Sequence, residues 1–156
     1  MSTKLPSKRD IRFTVAEDVR HEAAGRYSLL GVFPGERFAV GGPPPAQAQS
    51  AAFMIPSLAF VFTITGGEGK FSGRVRICAP DGKTILADSQ IEGIDLATGR
   101  SSVLANASKP FVGPSFGTYA VTLEIGTARF KYPLIIEKAA ESKPRARRNR
   151  ASNAQR

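Results

Sequence analysis

An all-β domain is what this sequence predicts, on three observations. Apolar and polar residues alternate with a period of two in several segments. Gly, Pro and Asp cluster between those segments, as turn-formers do. No stretch of ten or more residues carries the apolar stripe of a helix. About seven to nine short strands joined this way point to a two-sheet antiparallel sandwich, immunoglobulin-like in layout. With 156 residues, 42% of them hydrophobic, one such domain can fill a core without disulfide or metal staples.

Ile11, Phe13 and Val15 alternate with Arg12, Thr14 and Ala16, which predicts the first strand. Glu22 to Arg26 reads as a turn before a second strand, Tyr27 to Phe33. Residues 41–50 hold three consecutive prolines, which lack the N–H a strand ladder needs, so a loop is expected there. Leu58, Phe60, Phe62 and Ile64 share one face while Ala59 and Val61 keep the other apolar, the mark of an interior strand. The Gly66-Gly67-Glu68-Gly69 loop then suggests a hairpin over 57–79, with Phe71, Val75 and Ile77 alternating against Lys70, Arg74, Arg76 and Cys78.

Pro80-Asp81-Gly82 is a turn, and Thr84 to Leu96 supplies one or two further strands. Residues 97–116 look irregular, broken by Pro110, Gly113 and Pro114. The clearest element is the hairpin from Gly117 to Glu137. Gly126-Thr127 suits a two-residue type II′ turn, because glycine accepts positive φ at the first position. That turn sets Ile125 opposite Ala128, Leu123 opposite Phe130, Val121 opposite Tyr132 and Tyr119 opposite Leu134. Glu124 then faces Arg129 on the other side, a pair worth about 0.2–1 kcal/mol.

The net charge of +9 sits mainly in the ends. Residues 1–10 carry +2, residues 139–156 carry +5, and the expected sandwich, 11–138, carries the remaining +2. From Ala139 onward there is no Val, Ile, Leu, Phe or Tyr, so this basic tail is expected to be disordered, and 1–10 to be flexible. No membrane span is expected, since the longest apolar stretch falls short of ~20 residues. No signal peptide is read at the start, because Asp10 and an alternating pattern follow Lys4, Lys8 and Arg9. The single cysteine, Cys78, allows no internal disulfide, which suggests a cytoplasmic setting.

The run from Glu17 to Phe33, with Asp18, Arg20, Glu22, Gly25-Arg26, Ser28-Leu29 and Gly31-Val32-Phe33, resembles the opening of a bacterial family of unknown function. The likeness extends through Ile55-Pro56 and Ala79-Pro80-Asp81-Gly82 to Phe116-Gly117, covering about 11–138. It implies a small β-sandwich and brings no catalytic residues. Ala24-Gly25 stands where that family's turn more usually has Asn-Gly.

Several residues suggest chemistry, and each has a plainer explanation. His21, the only histidine, is flanked by Glu17, Asp18 and Glu22, which raises a metal site or a carboxylate–histidine base. Metal sites normally want several His or Cys ligands, so a solvated hairpin histidine is favoured. Gly66 to Lys70 lacks the first glycine and the Ser or Thr of a phosphate loop, and a strand rather than a helix follows it. Cys78 shares a face with Lys70, Arg74 and Arg76, cations that would favour a thiolate, but has no second Cys or nearby His. Lys70, Arg74, Arg76 and Lys83 read as a solvated strand face, without the exposed aromatics of a nucleic-acid platform. Asn106-Ala107-Ser108 fits a glycosylation acceptor only in a secreted protein.

No enzyme, cofactor or metal is therefore expected. The leading expectation is an interaction module that binds another macromolecule through a sheet face or loops. The alternative is a nucleic-acid-associated protein whose tail cations, Lys143, Arg145, Arg147, Arg148 and Arg150, make sequence-independent phosphate contacts. The same cations could meet anionic lipid or simply keep the chain soluble. Edge strands leave room for a homodimer.

Overall fold

A computed structural model of the chain describes residues 3–41 and 50–140. These residues contain twelve strands: β1 (Ile11–Ala16), β2 (Asp18–His21), β3 (Tyr27–Leu30), β4 (Arg37–Val40), β5 (Phe53–Ile55), β6 (Leu58–Ile64), β7 (Gly69–Cys78), β8 (Ile85–Leu96), β9 (Ser102–Ser108), β10 (Phe111–Gly113), β11 (Gly117–Ile125) and β12 (Ala128–Lys138). Twelve exceeds the expected seven to nine because β5 and β10 are too short to display an alternation. The region 97–116, expected to be irregular, also holds β9, whose Ala105 and Asn106 interrupt the apolar pattern.

The strands form a three-stranded sheet ordered β1-β6-β9 and a five-stranded sheet ordered β4-β12-β11-β7-β8. Two ribbons, β10-β5 and β2-β3, complete the set. The layout is not wholly antiparallel as expected: β4 runs parallel to β12, with Arg37 beside Ile135 and Val40 beside Lys138.

The hairpin expected over 57–79 does not form. β6 pairs with β1 and β9, whereas β7 pairs with β11 and β8, so the Gly66–Gly69 loop carries the chain from one sheet to the other. Alternation fixed both strands but not their partner, and Gly67 and Gly69 adopt φ of +95° and +117°, bending the chain away. β6 is the middle strand of its sheet and is buried along nearly its whole length, in keeping with two apolar faces.

The 117–137 hairpin forms in the expected register, with Leu123 opposite Phe130 and Ile125 opposite Ala128. Gly126 takes φ +55° while Thr127 stays at negative φ, the sign pattern of a II′ turn. Tyr119, Val121, Leu123 and Ile125 are all fully buried on one face. They share a core with Val15, Leu58, Phe60, Phe62 and Ile64 of the other sheet. Tyr132 bridges the two, 4.9 Å from Phe13 and 5.8 Å from Phe62, while Tyr119 meets Phe53 and Phe111 of the β10-β5 ribbon at 6.0 Å and 5.8 Å.

The stretch expected to be a flexible N-terminus makes defined contacts from Lys4 onward. Lys4 and Glu68 exchange two backbone hydrogen bonds of 2.8 Å, and Ser7 and Asp10 form a capping box around a short 3₁₀ turn.

At the tip of the β2–β3 hairpin, Ala24 takes φ +61° and ψ +31°, where an L-residue with a Cβ is strained by about 1–2 kcal/mol. Glycine carries no such penalty but loses more backbone entropy on folding. Ala24→Gly is therefore expected to raise stability by about 0.5–1 kcal/mol. A urea titration showing a loss instead would contradict that balance.

Candidate binding surface

The outward face of the five-stranded sheet gathers charges by simple alternation. On β7, Val75 and Ile77 point into the core, so Arg74, Arg76 and Cys78 point out. The ladders then align two rows across the sheet. One runs Gln90, Arg74, Glu124, Arg129, and the next runs Asp88, Arg76, Thr122, Lys131.

Arg74 grips both carboxylate oxygens of Asp88, and Arg76 reaches the same carboxylate at 3.3 Å. Arg129 meets Glu124 at 2.6 Å, the pair expected from the hairpin register. Lys131 makes no ion pair among the described residues, so these two rows present four cations and two carboxylates. Asp88 was not singled out by sequence, because its partners lie on the neighbouring strand. Hydrogen bonding from Arg74 holds the Asp88 carboxyl below the ordinary aspartate range and pushes the guanidinium further up.

Asp18, Asp81 and Asp10 are lowered as well, chiefly by hydrogen bonds from Lys109, Thr84 and Ser7 respectively. With folded values below the unfolded ones, the unfolded chain binds more protons in acid, so stability rises with pH in that range. The contribution is complete above the ordinary aspartate value of about 4 and is lost as pH falls through the lowered values. The urea midpoint is expected to stay flat from pH 8 to about 5 and to fall below about 4. Asp88→Asn should make that fall shallower, and an unchanged acid slope would contradict the assignment.

The other sequence candidates are dispersed. His21 ends β2 in an exposed position, its ring edge-on to Tyr27 at 4.7 Å. Its carboxylate neighbours are engaged elsewhere: Asp18 pairs with Lys109 at 2.7 Å, and Glu22 accepts a hydrogen bond from Ser28. Among the described residues no group of three His, Cys, Asp or Glu side chains could hold a metal. Cys78 is half-buried beside Ala120. Asn106 is half-buried, and its amide donates to Ser89 Oγ at 2.9 Å between β9 and β8. The tail cations Lys143, Arg145, Arg147, Arg148 and Arg150 lie outside the described residues.

Tyr119 and Tyr132 are buried in the core, and both carry polar atoms of consequence. The Tyr119 hydroxyl donates to the Ser115 carbonyl, and burial pushes its pKa up. The Tyr132 hydroxyl is buried with no protein partner among the described residues, and burial and the Glu36 charge push its pKa up.

No family model and no curated protein matches this chain. Among the described residues, no helix is long and apolar enough to cross a membrane.

Proposed function

We propose that this chain is an immunoglobulin-like sandwich that works as a non-enzymatic interaction module, binding another macromolecule through the charged face of its five-stranded sheet. The strand order supports the architecture. β1-β6-β9 corresponds to strands A-B-E, and β12-β11-β7-β8 to G-F-C with an added C′. Tyr119, near the start of the F-like strand, bonds a backbone carbonyl four residues upstream, as a tyrosine corner does. The likeness of residues 11–138 to a bacterial β-sandwich family belongs to the same proposal, as does a cytoplasmic setting for its single cysteine.

One observation carries the binding role: two aligned rows of charges on an outward sheet face, with a surplus of cations because Arg74 and Arg76 share the Asp88 carboxylate and Lys131 makes no ion pair among the described residues. Such a face suits an acidic protein surface, and complementary charge steers association and register. Partner capture with the full chain and with Arg129→Glu/Lys131→Glu tests the reading. A partner held by the native chain and lost from the variant is the expected result. The same proteins on both, or a clean monomer that turns over a small molecule, would overturn it.

Five cations between Lys143 and Arg150 favour a second reading, contact with nucleic-acid phosphates. A salt titration of duplex binding with and without residues 139–156 decides it. Loss of affinity and of salt slope on truncation supports the tail; no change in either rejects it.

A further inference from the structure

β1 forms one edge of its sheet, pairing only with β6. In an antiparallel ladder each residue's N–H and C=O point to the same side, and that side alternates along the strand. The Val15 carbonyl accepts from Phe33 N–H at 2.9 Å, away from β6, and the Asp10 carbonyl accepts from Thr65 on the β6 side at 2.8 Å. Arg12, Thr14 and Ala16 therefore bond β6, and Phe13 and Val15 face outward.

The chain begins to cover this edge and then leaves it. Glu17 N–H meets the carbonyls of Leu30 and Gly31, and Phe33 meets Val15, an antiparallel register that would next set residue 35 against Phe13. The chain instead turns away at Gly35, whose φ is +92°. The chain then joins the other sheet, where Glu36 accepts from Ile135 and Arg37 pairs with Ile135. On the far side, Ile11 N–H is taken by the Lys8 carbonyl. Phe13 N–H and C=O and Val15 N–H are left without a backbone partner among the described residues.

A groove of about 550 Å³ runs beside these groups, between Arg12–Val15 and Val32–Glu36. Four consecutive β1 residues line it, so it follows the strand's edge rather than either face, over about 13 Å at 3.3 Å per residue. Val32, half exposed, and Phe33 give its wall apolar surface. Arg12 at its rim makes no ion pair among the described residues.

We infer that this groove takes an extended segment of a partner protein as an added strand on β1. The inference rests on the interaction-module reading and names a second, separate site for it. An N–H, C=O, N–H array at strand spacing selects an extended backbone, and alternate side chains supply specificity. The segment places apolar residues on the Phe13 side and an acidic residue opposite Arg12.

The test selects displayed random heptapeptides on the immobilised full chain and titrates the best synthetic peptide into labelled full chain by NMR. The expected peptide alternates apolar and polar residues, carries an acid, and shifts amides within Ile11–Val15 and Val32–Glu36. N-methylating a peptide amide that faces β1 should weaken binding about tenfold, the value of one main-chain hydrogen bond, while methylating its neighbour leaves binding unchanged. Arg12→Glu should weaken it several-fold, and Arg129→Glu/Lys131→Glu should not. No enriched peptide, shifts elsewhere, or equal tolerance of both methylations would overturn the inference. So would a dimer of this chain, or its own residues 141–156, filling the edge in the free protein. Peptides that bind at β1 while partner capture at the sheet face fails would sink the sheet-face reading alone.

Discussion

Replacing Phe62 by alanine is expected to cost about 3–5 kcal/mol, the range for deleting a large buried aromatic. Phe62 is fully buried at the centre of β6, with its ring 5.2 Å from Phe13 and 5.8 Å from Tyr132. It thus touches a neighbour in its own sheet and one in the facing sheet. The loss combines transfer of the ring to water with a cavity that rings on both sides cannot collapse to fill. Domains of this size are stable by about 5–15 kcal/mol, so the variant should sit near the unfolding threshold at 37 °C. Urea midpoints measure it, with Arg12→Ala as a surface control expected to stay within about 0.5 kcal/mol. A Phe62→Ala loss under 1 kcal/mol would mean that the two sheets do not share this core.

Gly113→Ala should also destabilise, here by overpacking. Gly113 is buried in β10 and pairs with Phe53 across the ribbon. A methyl at its α-carbon would stand 2.1 Å from the Phe53 ring and 2.6 Å from the Tyr119 hydroxyl oxygen. Both rings are almost wholly buried, so neither can swing out to water. The expected cost is about 1–3 kcal/mol or more, paid as displaced rings and shifted backbone. Phe53→Leu in the same chain makes room, so the double variant should lose less than the two single losses added together. Strict additivity would contradict the contact.

The sequence revealed strands well and their partners poorly. Where a short turn joined two alternating runs, as at Gly126-Thr127, turn geometry fixed both register and burial, down to the Glu124–Arg129 pair. Where the loop was longer, at Gly66–Gly69, alternation was equally clear, yet β6 and β7 went to different sheets. A period of two says which residues share a face and nothing about which strand lies alongside. The parallel β4–β12 pairing was hidden for the same reason, since Arg37–Val40 is only four residues long.

The candidate surface was half legible. Arg74, Arg76 and Arg129 were placed on polar faces by alternation alone. Asp88, which ties the first two together, required the β7–β8 register, and two register shifts in that ladder obscure it. The open edge of β1 left a trace in Gly35, whose positive φ turns the chain away. Its meaning depended on knowing that Phe33 bonds Val15.

Site-resolved amide hydrogen exchange along β1 tests the whole account most directly, because one strand reports both sheet order and free edge. Arg12, Thr14 and Ala16, bonded to β6, should exchange slowly, and Phe13 and Val15 between them should exchange orders of magnitude faster. Uniform protection from Arg12 to Ala16 would mean that the edge is already paired. Protection of Phe13 in place of Arg12 and Thr14 would mean that β1 faces β6 the other way round.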